Sequence, residues 1–139
     1  MDKIISFDIW DTIIKRKCHP EEIKLHTAKI IVLKYEKYLK ERYKDIYEIL
    51  KERDDIEEKI CKENKANGND DECRIIDVFK KLQENIFKEE IADISEELLK
   101  EEIEQEKRCI FIIPDILPVF EKYKDLKLHF WFLYGSRFT

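Results

Sequence analysis

The chain has 139 residues, a length that fits one domain, and 43% of them are hydrophobic, which is enough to form a core. Charged residues make up 42%, with only two Gly and three Pro, so the composition excludes wholesale disorder and favours long amphipathic helices. The 27 basic and 32 acidic residues are interspersed. Binding to nucleic acid needs a clustered basic face, and the sequence predicts none, so we do not expect a nucleic-acid partner.

The first predicted element is a short strand over residues 3–8 that ends at Asp8. Residues 9–19 predict a loop that carries a second carboxylate, Asp11, and a hydroxyl, Thr12. A strand ending in Asp places the carboxylate at the carboxyl edge of a sheet, where open α/β folds bind their ligands. This beginning is typical of an enzyme.

Helices dominate the chain from Pro20 onward, because apolar residues recur at spacings of three and four. Pro20 suits the first helical position, and Asp93 is expected to cap a later helix. The segment 67–71 is a strong turn signal in the middle of the chain. Five helices are predicted, at about residues 20–44, 46–64, 74–88, 93–108 and 114–124.

The last apolar run, residues 126–134, is rich in aromatic residues and predicts a second strand buried between other elements. Four scattered cysteines, no export signal and no apolar run of membrane-spanning length lead us to expect reduced thiols. We therefore expect a cytoplasmic protein that does not enter a membrane.

The segment Phe7-Asp8-Ile9-Trp10-Asp11-Thr12, followed by Arg16 and Pro20, resembles the opening motif of haloacid-dehalogenase-like (HAD) hydrolases. It is similar in particular to a bacterial subgroup whose motif reads FD-x-[FW]-DT-x-x-x-R. In that superfamily a helical cap is inserted between the first and second core strands. The motif resemblance covers about the first thirty residues, and beyond them the resemblance is architectural.

The resemblance implies a mainly α fold with a small parallel β component. Residues 1–19 would hold the first core strand and the nucleophile loop, and residues 20–125 a helical cap of about five helices. Residues 126–139 would hold the second strand, truncated or altered, of an incomplete Rossmann-like core.

The resemblance also implies roles for individual residues. Asp8 would be the nucleophile that attacks phosphorus, and Mg²⁺ would be held by the Asp8 carboxylate and the backbone carbonyl of Trp10. Thr12 would lock the turn, while Arg16 would either clamp the substrate or tie the cap to the core. The substrate would be a small phosphorylated metabolite, with sugar phosphates suggested by the resemblance alone.

Two departures from the family pattern affect these roles. The position two residues after the nucleophile, where phosphatases carry a proton-donating Asp, is Trp10 here. Asp11 follows it, and in extended backbone its side chain would point the other way, so its role as acid stays open. Ser136 is the nearest hydroxyl to the second motif, at a shifted spacing.

Segments that would supply a Lys and an acidic metal-binding pair do not follow in the sequence. We expect a truncated product, with a reading-frame error near Leu128. An intact reading frame with no continuation downstream would contradict this expectation.

Two further alternatives stay open. Glu102 and Glu106 are similar to the paired Glu residues on the last cap helix of the subgroup, but their spacing of one helical turn is equally typical of a solvated face, which we expect. The whole chain is alternatively a non-catalytic helical protein that binds a partner.

Overall fold

The computed structural model describes residues 8–70, 72–89 and 91–123. The predicted second strand and Ser136 lie outside these residues, as does the predicted first strand apart from Asp8. Parallel pairing of those two strands therefore stays a prediction.

The described residues are mainly helical, which confirms the predicted class. A 3₁₀ turn at Pro114–Ile116 precedes the last helix. The five helices are α1 (Pro20–Tyr35), α2 (Ile46–Ala66), α3 (Ile75–Ile86), α4 (Ser95–Cys109) and α5 (Leu117–Tyr123).

The first helix ends earlier than predicted, at Tyr35, and two 3₁₀ turns, Glu36–Tyr38 and Glu41–Lys44, replace its last part. Leu39 between them is extended and completely buried, and it forms an isolated antiparallel bridge with Phe87. The extended backbone lets Leu39 pair with Phe87 at the end of α3 and bury its side chain there. Tertiary packing therefore overrides the local helical pattern.

Side chains before the helices satisfy their first backbone N–H groups. His19 Nδ1 accepts a hydrogen bond from Glu21 N at 3.2 Å, and Asp45 Oδ1 accepts one from Tyr47 N at 2.8 Å. Asp93, predicted to cap α4, lies one residue before the N-cap Ile94, so the predicted cap position is off by one residue, although Asp93 Oδ1 accepts from Ser95 N at 2.9 Å. Such caps are each worth about 1 kcal/mol.

Helices α1 to α4 pack in a ring, so that each helix contacts two neighbours, with α4 closing against α1. Their apolar faces meet in one core that includes the ring of Phe79 at 0% exposure. Thirteen apolar side chains form this core: Ala28, Ile31, Leu39, Tyr43, Ile49, Ile56, Val78, Phe79, Leu82, Ile86, Phe87, Ile94 and Leu98.

Two three-residue strands, β1 (Ile14–Arg16) and β2 (Ile110–Ile112), form an antiparallel ribbon. In the chain β1 comes just before the four packed helices and β2 directly after them. Arg16 lies opposite Ile110, and Lys17 N donates to Cys109 O at 2.7 Å just beyond the strands. The prediction of loop throughout residues 9–19 is therefore wrong at β1. The ribbon that the structure describes is antiparallel. Its two strands are more than ninety residues apart in the sequence, so no local pattern reveals their pairing.

A carboxylate on α2 joins three segments. Glu52 accepts hydrogen bonds from the Tyr43 hydroxyl at 2.6 Å and from Asn85 Nδ2 on α3 at 2.8 Å. The Tyr43 hydrogen bond lowers the pKa of Glu52, while burial together with the Glu52 carboxylate raises the pKa of Tyr43 to about 12.

Within the described residues, no helix combines the length and apolar character needed to cross a membrane.

The core predicts a large difference between two leucines. Leu82 on α3 is 1% exposed and Leu33 on α1 is 80% exposed. Leu82→Ala is expected to lower the free energy of unfolding by about 2–5 kcal/mol, because it removes buried methyl groups and leaves a cavity. Leu33→Ala is expected to change it by about 0.5 kcal/mol or less. Urea unfolding of both variants measures the difference, and equal losses would contradict this core.

The Tyr43–Glu52 hydrogen bond predicts a tyrosine that titrates late. Because the raised pKa means that the folded state holds the Tyr43 proton more tightly, this contribution to stability is present below pH 10 and is lost as the pH rises toward 12. Tyr43→Phe should remove a component near pH 12 from the ultraviolet absorbance titration. Tyr47→Phe, at a tyrosine that is 64% exposed, is the control and should retain that component.

Candidate active site

The motif residues 8–13 form a tight turn that leads into β1. Ile9 O accepts hydrogen bonds from Ile13 N at 2.9 Å and Ile14 N at 3.0 Å, and Asp11 N donates to Ile14 O at 2.8 Å. Asp11 has φ 57°, in the left-handed region that Asp tolerates better than most residues. The turn therefore favours Asp, Asn or Gly at this position.

Two of the predicted catalytic carboxylates lie on the exposed side of this turn. Asp8 and Asp11 are both exposed, and Asp8 Oδ1 accepts a hydrogen bond from Ile9 N at 2.9 Å. Thr12 is also exposed, while the hydrogen bonds that close the turn join backbone groups, so its locking role stays a prediction.

Arg16 is held on two sides. Its guanidinium lies 4.2 Å from the centroid of the Trp10 ring, and it donates to the Glu106 carboxylate from Nη2 at 2.7 Å and from Nε at 3.1 and 3.2 Å. Each side chain of this ion pair is 14% exposed. Of the two roles predicted for Arg16, the contact with α4 supports the tie between loop and helices.

The second α4 carboxylate lies deeper. Glu102 accepts hydrogen bonds from Arg53 Nη1 at 2.6 Å and Nη2 at 2.8 Å, and from the Thr27 hydroxyl at 2.8 Å. Arg53 also donates from Nε to Glu57 at 2.7 Å, and its guanidinium lies 5.1 Å from the Phe79 ring centroid. Burial lowers the pKa of Arg53, but the bonds and charge of Glu102 and Glu57 outweigh it and raise that pKa.

The expectation that Glu102 and Glu106 lie on a solvated face is therefore wrong. Both carboxylates bind arginines from distant parts of the chain: Arg53 reaches Glu102 from α2, and Arg16 reaches Glu106 from β1. A sequence signal for Arg53 was present: it stands four residues after Ile49 and three before Ile56, on the apolar face of α2. A charged residue at a core position predicts a buried partner of opposite charge.

The chemistry of the donors is compatible with the Mg²⁺ that the resemblance implies. Mg²⁺ is usually bound by one or two carboxylates, with water and substrate phosphate completing the octahedron. The exposed Asp8 carboxylate is such a donor. Among residues 8–70, 72–89 and 91–123, no cluster of three or more His, Cys, Asp or Glu side chains is suited to hold a metal ion.

Two of the cysteines, Cys18 and Cys73, are poor candidates for a nucleophile. All four are free and partly buried, at Cys18, Cys61, Cys73 and Cys109. Burial, with the neighbouring thiol of Cys61, raises the pKa of Cys73 to about 12, and burial beside Cys109 raises that of Cys18. Thiols with raised pKa values stay protonated and unreactive at neutral pH.

Comparison with known proteins leaves the family open. No protein-family model matches the chain. No curated protein is significantly similar to it.

The buried ion pair predicts a large cost when one partner is removed. Glu102→Gln is expected to lower the free energy of unfolding by about 3 kcal/mol, because Arg53 is left buried without its main counter-charge. Glu104→Gln, on the same helix with a side chain 47% exposed, is the matched control and should cost about 0.5 kcal/mol or less. Urea unfolding at neutral pH compares them, and a similar small cost for both would contradict the buried pair.

Proposed function

We propose that this chain carries the nucleophile loop and helical cap of a Mg²⁺-dependent, phosphatase-type hydrolase of the HAD-like class. The observation that carries this proposal is the ribbon. The chain passes into the helical ring through β1, directly after the motif turn, and passes out of it through β2, directly after α4. An inserted domain needs its two ends side by side, and antiparallel pairing of β1 with β2 provides this.

The exposed motif turn supports the choice of Asp8 as nucleophile. One Asp8 oxygen would attack phosphorus, the bond from phosphorus to the leaving oxygen would break, and that oxygen would depart as an alcohol after gaining a proton. Water would then cleave the aspartyl-phosphate to release inorganic phosphate. Bound Mg²⁺ would neutralise charge on the phosphoryl group, held by the Asp8 carboxylate and the Trp10 carbonyl.

The shape of the turn bears on Asp11. The objection that its side chain points away from Asp8 applies to extended backbone, whereas Asp11 lies in a left-handed turn. Its exposed carboxylate therefore stays a candidate for the acid that protonates the leaving group. The helical ring would act as the cap that excludes water and selects the substrate. Small phosphorylated metabolites, sugar phosphates among them, remain the substrate class that the resemblance suggests.

A second candidate function, a non-catalytic helical protein that binds a partner, is favoured by one specific observation. Apolar side chains are exposed around the ribbon, with Ile112 at 55%, Leu117 at 50%, Ile9 at 38% and Phe111 at 37%. Exposed apolar patches are typical of surfaces that pack against another domain or chain, and the exposed side chains of the turn, β2 and α5 are candidate contacts for such a partner.

The hydrolase proposal predicts phosphate release that depends on Asp8. The purified chain should release phosphate from a generic aryl phosphate in the presence of Mg²⁺, and chelation by EDTA should stop it. Asp8→Asn should lower kcat by about a hundredfold or more, because the amide cannot act as the nucleophile. Initial rates measured by phosphate release give the comparison.

Asp55→Asn is the matched control, since Asp55 is an exposed residue of α2 outside the motif. It should leave the rate unchanged and the far-ultraviolet circular dichroism intact. Complete inactivity of the folded wild-type chain would contradict catalysis by this chain and favour either partner binding or a truncated remnant of the hydrolase. Equal activity of Asp8→Asn and wild type would contradict the role of Asp8.

A further inference from the structure

Three side chains from distant parts of the sequence meet where the motif turn, the ribbon and α4 join. We call Trp10, Arg16 and Glu106 the Arg16 cluster. The guanidinium carbon of Arg16 lies over the Trp10 ring, 4.2 Å from its centroid, and the guanidinium donates to Glu106 at 2.7–3.2 Å. Glu106 lies in the last turn of α4, directly before β2 begins at Ile110.

The geometry of this cluster fixes an orientation as well as a distance. A bidentate carboxylate holds the plane of a guanidinium, whereas a single contact leaves the group free to rotate. With 14% of either side chain exposed, the ion pair is also shielded from water more than a surface pair is. The guanidinium that Glu106 orients is the same group that lies over the Trp10 ring.

Trp10 in turn connects to the candidate nucleophile. It stands two residues after Asp8, and its backbone bridges to Ile14 at the start of β1. The turn is thus held by the bridge at Ile14 and by the ring of Trp10 against Arg16. A change in the Arg16 plane would move the Trp10 ring, and with it the backbone that carries Asp8.

We propose that Glu106 is a positioning residue: through Arg16 it fixes Trp10, and so the last turn of α4 sets the conformation of the turn that carries Asp8. The consequence for catalysis rests on the proposed hydrolase function. The consequence for the position of Trp10 does not, and it is tested separately.

The test follows Trp10 directly. The chain has two Trp, Trp10 and Trp131, so Trp131→Phe leaves Trp10 as the single emitting indole. In this background Glu106→Ala should raise the acrylamide quenching constant by about twofold, because Arg16 loses the carboxylate that holds it over the Trp10 ring and the ring becomes more accessible to solvent. Glu104→Ala, two residues earlier on the same helix, is the matched control and should leave quenching unchanged.

Arg16→Lys is the second variant, since it keeps the positive charge but removes the planar fork. It should raise quenching as Glu106→Ala does, with unchanged helical circular dichroism. Quenching in Glu106→Ala equal to that in Glu104→Ala overturns the proposal. Loss of helical structure in both Glu106→Ala and Arg16→Lys also overturns it, because the cluster would then serve folding and not the position of Trp10.

Activity provides a separate readout. If the chain releases phosphate, Glu106→Ala should lower kcat by about tenfold or more with little change in KM, because a small displacement of the nucleophile slows the chemical step. A rise in KM alone would overturn the positioning role. If the wild-type chain is inactive, the hydrolase function fails while the quenching comparison still decides the position of Trp10.

Discussion

The bidentate ion pair between Arg16 and Glu106 joins the turn that carries Asp8 to the last turn of α4. The β1–β2 ribbon, which contains Arg16, brings together the two points at which the chain passes into and out of the helical ring. Without this pair, the turn would lose one of the contacts that orient it relative to the helices. Because two three-residue strands are marginal alone, the charged contact and the stacked Trp10 ring determine this junction.

The interior of the ring depends on a second pair of the same kind. Arg53 and Glu102 face each other among apolar side chains, and Thr27 and Glu57 satisfy remaining hydrogen-bonding positions. Buried ion pairs of this kind contribute little net stability compared with apolar packing, but one partner without the other is costly. The arrangement therefore favours one alignment of α4 against α1 and α2. That alignment also places Glu106 at the junction, since the two carboxylates stand one helical turn apart.

Local patterns predicted the helices well and the junction poorly. Helix positions followed from the spacing of apolar residues, from Pro20 and from Asp93, which are all local signals. The early end of α1 could not be predicted, since Leu39 is extended in order to pack against Phe87 in a distant part of the sequence. The ribbon was not predicted either, because its strands are also far apart in the sequence. The partners of Glu102 and Glu106 are equally distant, since they come from α2 and β1. Of the candidate site, the motif residues were identified, while their contacts with α4 required the structure.

The central claim is that Asp8 is the reacting carboxylate of a capped hydrolase, and its covalent intermediate is the most direct test. The chain is mixed with an aryl phosphate and Mg²⁺, quenched in acid, and reduced with borohydride, which converts an aspartyl-phosphate to homoserine. Mass spectrometry of the peptides then locates the modified residue. The account predicts homoserine at Asp8, dependent on substrate and Mg²⁺, with Asp11 unmodified. Phosphate release with Asp8 unmodified, or homoserine at another aspartate, would contradict it.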